Sequence, residues 1–111
     1  MGPAKADLLQ GTLDMLILKI VGRNPLHGYA ISQRIGQISR ALLQVPQGSL
    51  YPALHRLENA GLLAATWTET ESGRAAKVYR LTRTGRRRLE QEVADWRRLS
   101  EAIGLILQTS E

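Results

Sequence analysis

The feature that most restricts this sequence is an apolar seam with nowhere to go. Leu89, Val93, Trp96, Leu99, Ile103 and Ile106/Leu107 recur at steps of three and four residues, the spacing that lines one face of a helix. The pattern predicts a final helix from about Gly85 to Gln108, capped by Thr84, with a seam about six turns long. The whole chain has 111 residues, no Phe and 5% aromatic residues. Its core is therefore a small one of Leu, Ile, Val and Ala, and such a body cannot cover the seam. The same helix of a second copy can. Leu89, Val93, Trp96, Leu99, Ile103 and Ile106 are the expected homodimer interface, with Leu8 and Leu9 as additions from the other end.

Upstream, the hydrophobic period reads helix, helix, helix, then strand. Leu9, Leu13, Leu16, Ile17 and Ile20 line a first helix from Leu8 to Val21, with Gly11 and Thr12 as caps and Gly22-Arg23-Asn24-Pro25 as its end. Ile31, Ile35 and Ile38 mark a second helix from His27 to Ile38. Ser39 to Gln44 either continues it or forms a separate turn, before Val45-Pro46-Gln47-Gly48 breaks the chain. Ser49 to about Ala60 is a third helix, capped by Ser49, with Pro52 in its first turn and Leu50, Leu54 and Leu57 inward. Leu63 to Thr68 alternates with period two, and Val78 to Thr82 is rich in strand formers. Glu71-Ser72-Gly73-Arg74 between them has turn chemistry, so a two-stranded antiparallel hairpin is expected.

Charge is concentrated. Seven of the 15 Lys and Arg residues fall between Arg74 and Arg88 with no acid among them, while the rest of the chain holds eight cations and ten anions. A basic segment of this kind suits a polyanion, nucleic acid first; a solubilising patch is the plain alternative. The lack of cysteine removes disulfides, thiolate metal sites and cysteine nucleophiles together. The two histidines, His27 and His55, do not suggest a metal site by their spacing, and no cofactor is expected. There is no nucleophile elbow, no phosphate-cradling Gly-rich loop and no paired-carboxylate arrangement, which argues against an enzyme. No apolar run approaches the roughly 18 residues of a membrane span, and the opening residues do not read as a secretory signal. A cytoplasmic protein is the expectation.

Three helices followed by a basic hairpin is the order of a winged helix-turn-helix, whose third helix enters the major groove of double-stranded DNA. The expected fold class is mainly α with a small β-hairpin. A DNA-binding domain over residues 1–84 is followed by a C-terminal dimerisation helix over 85–111. With the leucines of the third helix inward, Ser49, Pro52, His55, Arg56 and Asn59 face out. Arg56 and His55 can donate to guanine, and Asn59 can pair with adenine or contact phosphate. An ordinary wetted helix face would look the same.

Four segments then make a resemblance specific: Gly11-Thr12-Leu13-Asp14-Met15-Leu16-Ile17-Leu18, Leu26-His27-Gly28-Tyr29, Gly48-Ser49-Leu50-Tyr51-Pro52-Ala53-Leu54-His55-Arg56-Leu57-Glu58, and Tyr79-Arg80-Leu81-Thr82-Arg83-Thr84-Gly85. In their order and spacing they resemble the PadR family of bacterial transcriptional regulators, over most of residues 9 to 90. The resemblance implies a winged-helix repressor that acts as a homodimer on a palindromic operator, in the branch with a single C-terminal dimerisation helix. It places Gly48 to Pro52 at the start of the recognition helix.

Ser49, Tyr51, Pro52, His55 and Arg56 are then the residues available to DNA, with Tyr51 open to a core or hinge role instead. His27 and Tyr29 are expected to fix how the second helix leaves its turn. Arg74 and Lys77 are the cations nearest the wing tip and the expected phosphate or minor-groove contacts. Arg83, Arg86, Arg87 and Arg88 point in different directions, so only some can touch one duplex. The resemblance also gives Trp96 two uses: stacking on a small, flat aromatic effector between the dimerisation helices, or filling the dimer core. The competing functions are binding of structured RNA, non-specific coating of DNA, and a protein–protein module built on the long helix.

Overall fold

The structure, a computed structural model, describes residues 10–110. The helix start expected at Leu8, and the interface role given to Leu8 and Leu9, lie outside the described residues. Seven elements follow in order: α1 (Gln10–Val21), β1 (Leu26–His27), α2 (Gly28–Ile38), α3 (Gln47–Asn59), β2 (Leu63–Glu69), β3 (Ala75–Leu81) and α4 (Arg83–Gln108). This is a winged helix with a long appended helix, the fold class read from the sequence.

The three short helices surround one aliphatic core. Ile17 and Leu18 of α1, Ile31 of α2, and Leu50 and Leu54 of α3 are fully buried, and Leu63 and Tyr79 close the core from the sheet. The hairpin pairs Leu63 with Leu81, Ala65 with Tyr79 and Trp67 with Lys77. These positions share one sheet face because side chains alternate along a strand, and Tyr79 and Leu63 show it to be the core-facing one.

The structure corrects several expectations. The sheet has three strands in the order β1-β3-β2, where the sequence predicts two. β1 pairs Leu26 with Tyr79 and His27 with Val78, and two residues are too few for any period to show. Gly11 and Thr12 lie inside α1, which already runs from Gln10. Of the two readings left open for Ser39 to Gln44, the structure takes the turn. Arg40 and Ala41 take positive φ of 56° and 65°, and the Ala41 N–H donates to the Gly36 carbonyl at 2.7 Å, which closes α2. α3 begins two residues before Ser49, with Pro46 at its cap position and no side-chain cap. Pro52 consequently sits in the second turn.

The cap of α4 is Thr82, not Thr84. The Thr82 hydroxyl accepts from the Gly85 N–H at 2.9 Å and donates toward the Gly61 carbonyl at 2.7 Å. It therefore ties the helix start to the end of α3, which Thr84, already inside the helix, cannot do. This junction also explains Gly85: a Cβ there would stand 2.1 Å from the Leu62 carbonyl oxygen. α4 packs on the body only near its root. Leu89 is buried in the protomer's own core and Val93 rests against it. Beyond them Trp96, Leu99, Ile103, Leu105, Ile106 and Leu107 are all exposed.

Candidate nucleic-acid interface

With Leu50, Ala53, Leu54 and Leu57 of α3 in the core, the outer ridge is what remains. Ser49, Pro52, His55 and Asn59 are exposed along it. At its N-terminal end no side chain caps the helix, so first-turn N–H groups stay open to an anion. Pro52 has no N–H to give the Gly48 carbonyl, and exposure of Gly48 leaves that acceptor to water. The ridge is therefore polar and uncovered at its N-terminal end.

Tyr51 flanks the ridge and is partly exposed. Its ring lies over Gly28, where a Cβ would come within 2.7 Å of the Tyr51 Cε1. The glycine of the Leu-His-Gly-Tyr segment thus makes room for a side chain of α3. His27 occupies the cap position of α2 without a side-chain cap bond. Tyr29, next along, is exposed.

Two cations expected on DNA are held within the chain. The Arg56 guanidinium donates to the Asp14 carboxylate of α1 at 2.6 Å, with the side chains 40% and 17% exposed. Lys77 Nζ donates to Glu58 of α3 at 2.9 Å and lies 5.8 Å from the Trp67 ring centroid and 5.7 Å from that of Tyr79. The hydrogen bond to Glu58 holds the Lys77 ammonium above its ordinary pKa. Burial pushes the Tyr79 hydroxyl up, against a smaller downward pull from Lys77. Lys77 thus clamps the hairpin to α3, and Arg56 clamps α3 to α1. Asp14 and Glu58 lie within the segments that carry the family resemblance, yet nothing in the sequence pattern paired them, or Trp67, with Arg56 or Lys77. Asp14 is 42 residues from Arg56.

The basic segment does not form a single patch. Arg74 is exposed at the wing end beside exposed Glu69 and Glu71. Arg80 alternates to the sheet face opposite Lys77. Arg83, Arg86, Arg87 and Arg88 stand exposed around the first turns of α4.

Against known proteins, the family described as "Transcriptional regulator PadR-like family" matches residues 17–91. The chain belongs to that family. A PadR-like chain is a transcriptional regulator rather than an enzyme. It is similar to the transcriptional regulator Rv3488 of Mycobacterium tuberculosis, 41% identical over 76 residues, covering 68% of this chain and 67% of that protein. Among solved structures it resembles a PadR family transcriptional regulator from Eggerthella lenta, with TM-score 0.80, 36% identity and coverage of 91% and 86% of the two chains. It also resembles a transcriptional regulator from Clostridium thermocellum, with TM-score 0.84, 26% identity and coverage of 93% and 97%. Among the described residues, no helix of this PadR-like protein is long and apolar enough to cross a membrane.

Proposed function

We propose that this PadR-like regulator is a sequence-specific repressor that binds a palindromic operator in double-stranded DNA as a homodimer. The observation that carries the reading is the exposed, uncapped outer ridge of α3 in a chain of this family. Ser49, Pro52 and His55 enter the major groove, and Tyr51, braced by Gly28, flanks them. Arg74 reaches phosphate from the wing. Arg56 and Lys77 act on DNA from within their ion pairs, by setting the roll of α3 and the lie of the wing. The winged helix of residues 1–84 reads the half-site, and residues 85–111 join two copies through Trp96, Leu99, Ile103 and Ile106, with Leu89 and Val93 anchoring the helix root.

Binding-site selection from random duplexes tests this reading. A recovered palindrome supports it, with affinity about 10³-fold or more above random duplex and a log–log salt slope near −0.9 per phosphate neutralised. Indifference to sequence, or no affinity for any duplex at low salt, refutes it.

A second reading concerns Trp96, which is 51% exposed on the unpartnered seam. A large ring left open there suits stacking by a flat aromatic effector between the two α4 helices. Titration of planar cationic dyes against a Trp67→Phe background should quench the remaining indole fluorescence, and a flat response across the panel would remove the effector.

A further inference from the structure

Trp67 is the most exposed aromatic side chain among the described residues, at 67%. It lies mid-strand in β2, away from the α4 seam. Its cross-strand partner is Lys77, and Ala65 and Tyr79 form the next pair inward on the same face. Tyr79 is buried, so Trp67 occupies the pair at which the hairpin begins to run past the body. Core packing does not account for a side chain of this size there.

The face that carries Trp67 looks onto α3. Lys77 Nζ, 5.8 Å from the Trp67 ring centroid, is bonded to Glu58 in the last turn of α3. The ring is thus held beside the flank of α3 by an ammonium that is itself tied down. Glu58 neutralises that ammonium, so this part of the surface offers a ring more than a charge. The indole N–H meets no acceptor among the described residues. An isolated surface aromatic is ordinary. An open ring with a spare donor, fixed between α3 and the hairpin, has the two-sided chemistry of an interface tryptophan.

We infer that Trp67 is a DNA-backbone contact: its ring lies on a deoxyribose and its indole N–H donates to the adjoining phosphate. This rests on the operator-binding reading above and adds to it a residue that neither charge nor helix period picks out. With the ridge of α3 in a major groove, the strand bordering that groove runs between α3 and the hairpin. Its bases turn into the groove, so a side chain on the inner face of the hairpin meets sugar and phosphate. Glu69, the next residue outward on this face, is exposed and turns a polyanion toward the α3 side of the ring. Sugar and phosphate recur at every nucleotide, so the contact adds affinity without sequence preference. It is also uncharged and displaces no counterion.

Anisotropy and fluorescence on the full chain test the contact. Trp67→Ala should weaken operator and random duplex alike, about tenfold, with the log–log salt slope and Tm unchanged. Trp67→Phe keeps a ring and loses the donor, and should fall about threefold on both. In the parent, duplex should protect part of the indole emission from acrylamide, and in Trp67→Phe that protection should be gone. Indole emission indifferent to duplex, with a lowered Tm in Trp67→Ala, marks a structural tryptophan and overturns the contact. A loss confined to operator overturns it by assigning Trp67 to base reading, and a flattened salt slope overturns it by assigning the loss to Lys77. Equal protection by a single strand overturns it in favour of base stacking. A parent protein with no affinity for any duplex overturns the operator-binding reading as well, and is told apart because it fails before any substitution is made.

Discussion

The contact between Asp14 and Arg56 offers the sharpest perturbation. Asp14→Asn keeps the shape of the α1 side chain and removes its charge. The hydrogen bond is short and charge-assisted, and Asp14 is largely shielded, but the Arg56 side chain is 40% exposed. Solvent therefore screens much of the attraction, and a loss of about 1 kcal/mol is appropriate. For a domain of this size that lowers Tm by roughly 3–6 °C.

Part of the loss is returned elsewhere in the fold. The Asp14 charge helps push up the pKa of Glu92 on α4, after the larger effect of Glu92's own burial, so removing it relieves Glu92. The consequence on DNA has the opposite sign. A guanidinium released at the flank of α3 gains a phosphate, so binding to random duplex at low salt should tighten and its log–log salt slope should steepen by about 0.9. Fluorescence anisotropy on operator and random duplexes across a salt series, with Arg56→Ala and the double variant alongside, reads this directly. The reasoning is refuted if Asp14→Asn leaves the slope unchanged while Arg56→Ala loses about 1–3 kcal/mol at a single base position. Arg56 would then already be reading a base in the parent protein.

Other outcomes follow from the same contacts. Gly28→Ala places a methyl against the Tyr51 ring and should reduce operator affinity severalfold with little change in Tm, measured by anisotropy and thermal denaturation. Gly85→Ala drives a methyl into the Leu62 carbonyl at the cap of α4 and should cost about 2–4 kcal/mol in urea denaturation. Glu92 has its pKa raised by burial, with Arg88 opposing, and its Oε1 is buried without a partner. A carboxyl raised in the fold is penalised while ionised, and the penalty disappears as pH falls through its folded pKa. Glu92→Gln should accordingly stabilise the protein at neutral pH, and the gain in Tm should fade as the solution is acidified toward the ordinary carboxylate range.

Much of the fold was legible because each helix carries its own period. Leu50, Leu54 and Leu57 turn inward as their spacing requires, and the hairpin follows the change from three-and-four to two. What escaped was either too short or too distant. β1 has two residues and exists only because β3 offers it an edge. Thr82 wins the cap over Thr84 through a carbonyl of the preceding turn, a contact made by folding and not by neighbours in sequence. At the candidate site the exposed ridge of α3 was readable from periodicity alone. The ion pairs that restrain Arg56 and Lys77 were not, since charge counting treats every cation as free. The basic run from Arg74 to Arg88 illustrates this: contiguous in sequence, it is distributed over the wing end, the far side of the sheet and the base of α4.

The slender attachment of α4 gives the protein a ruler. Twenty-six residues of helix extend roughly 39 Å at about 1.5 Å per residue, fastened to the body chiefly through Gly85, Leu89 and Val93. A tilt of about 5° at that root carries the far end some 3 Å, close to the rise of one base-pair step. In the proposed homodimer, small adjustments where the helix leaves the winged domain would be magnified into whole-step changes in how far apart the two winged domains stand. The angle at which this lever is set would then fix the spacing of the half-sites that the proposed homodimer spans.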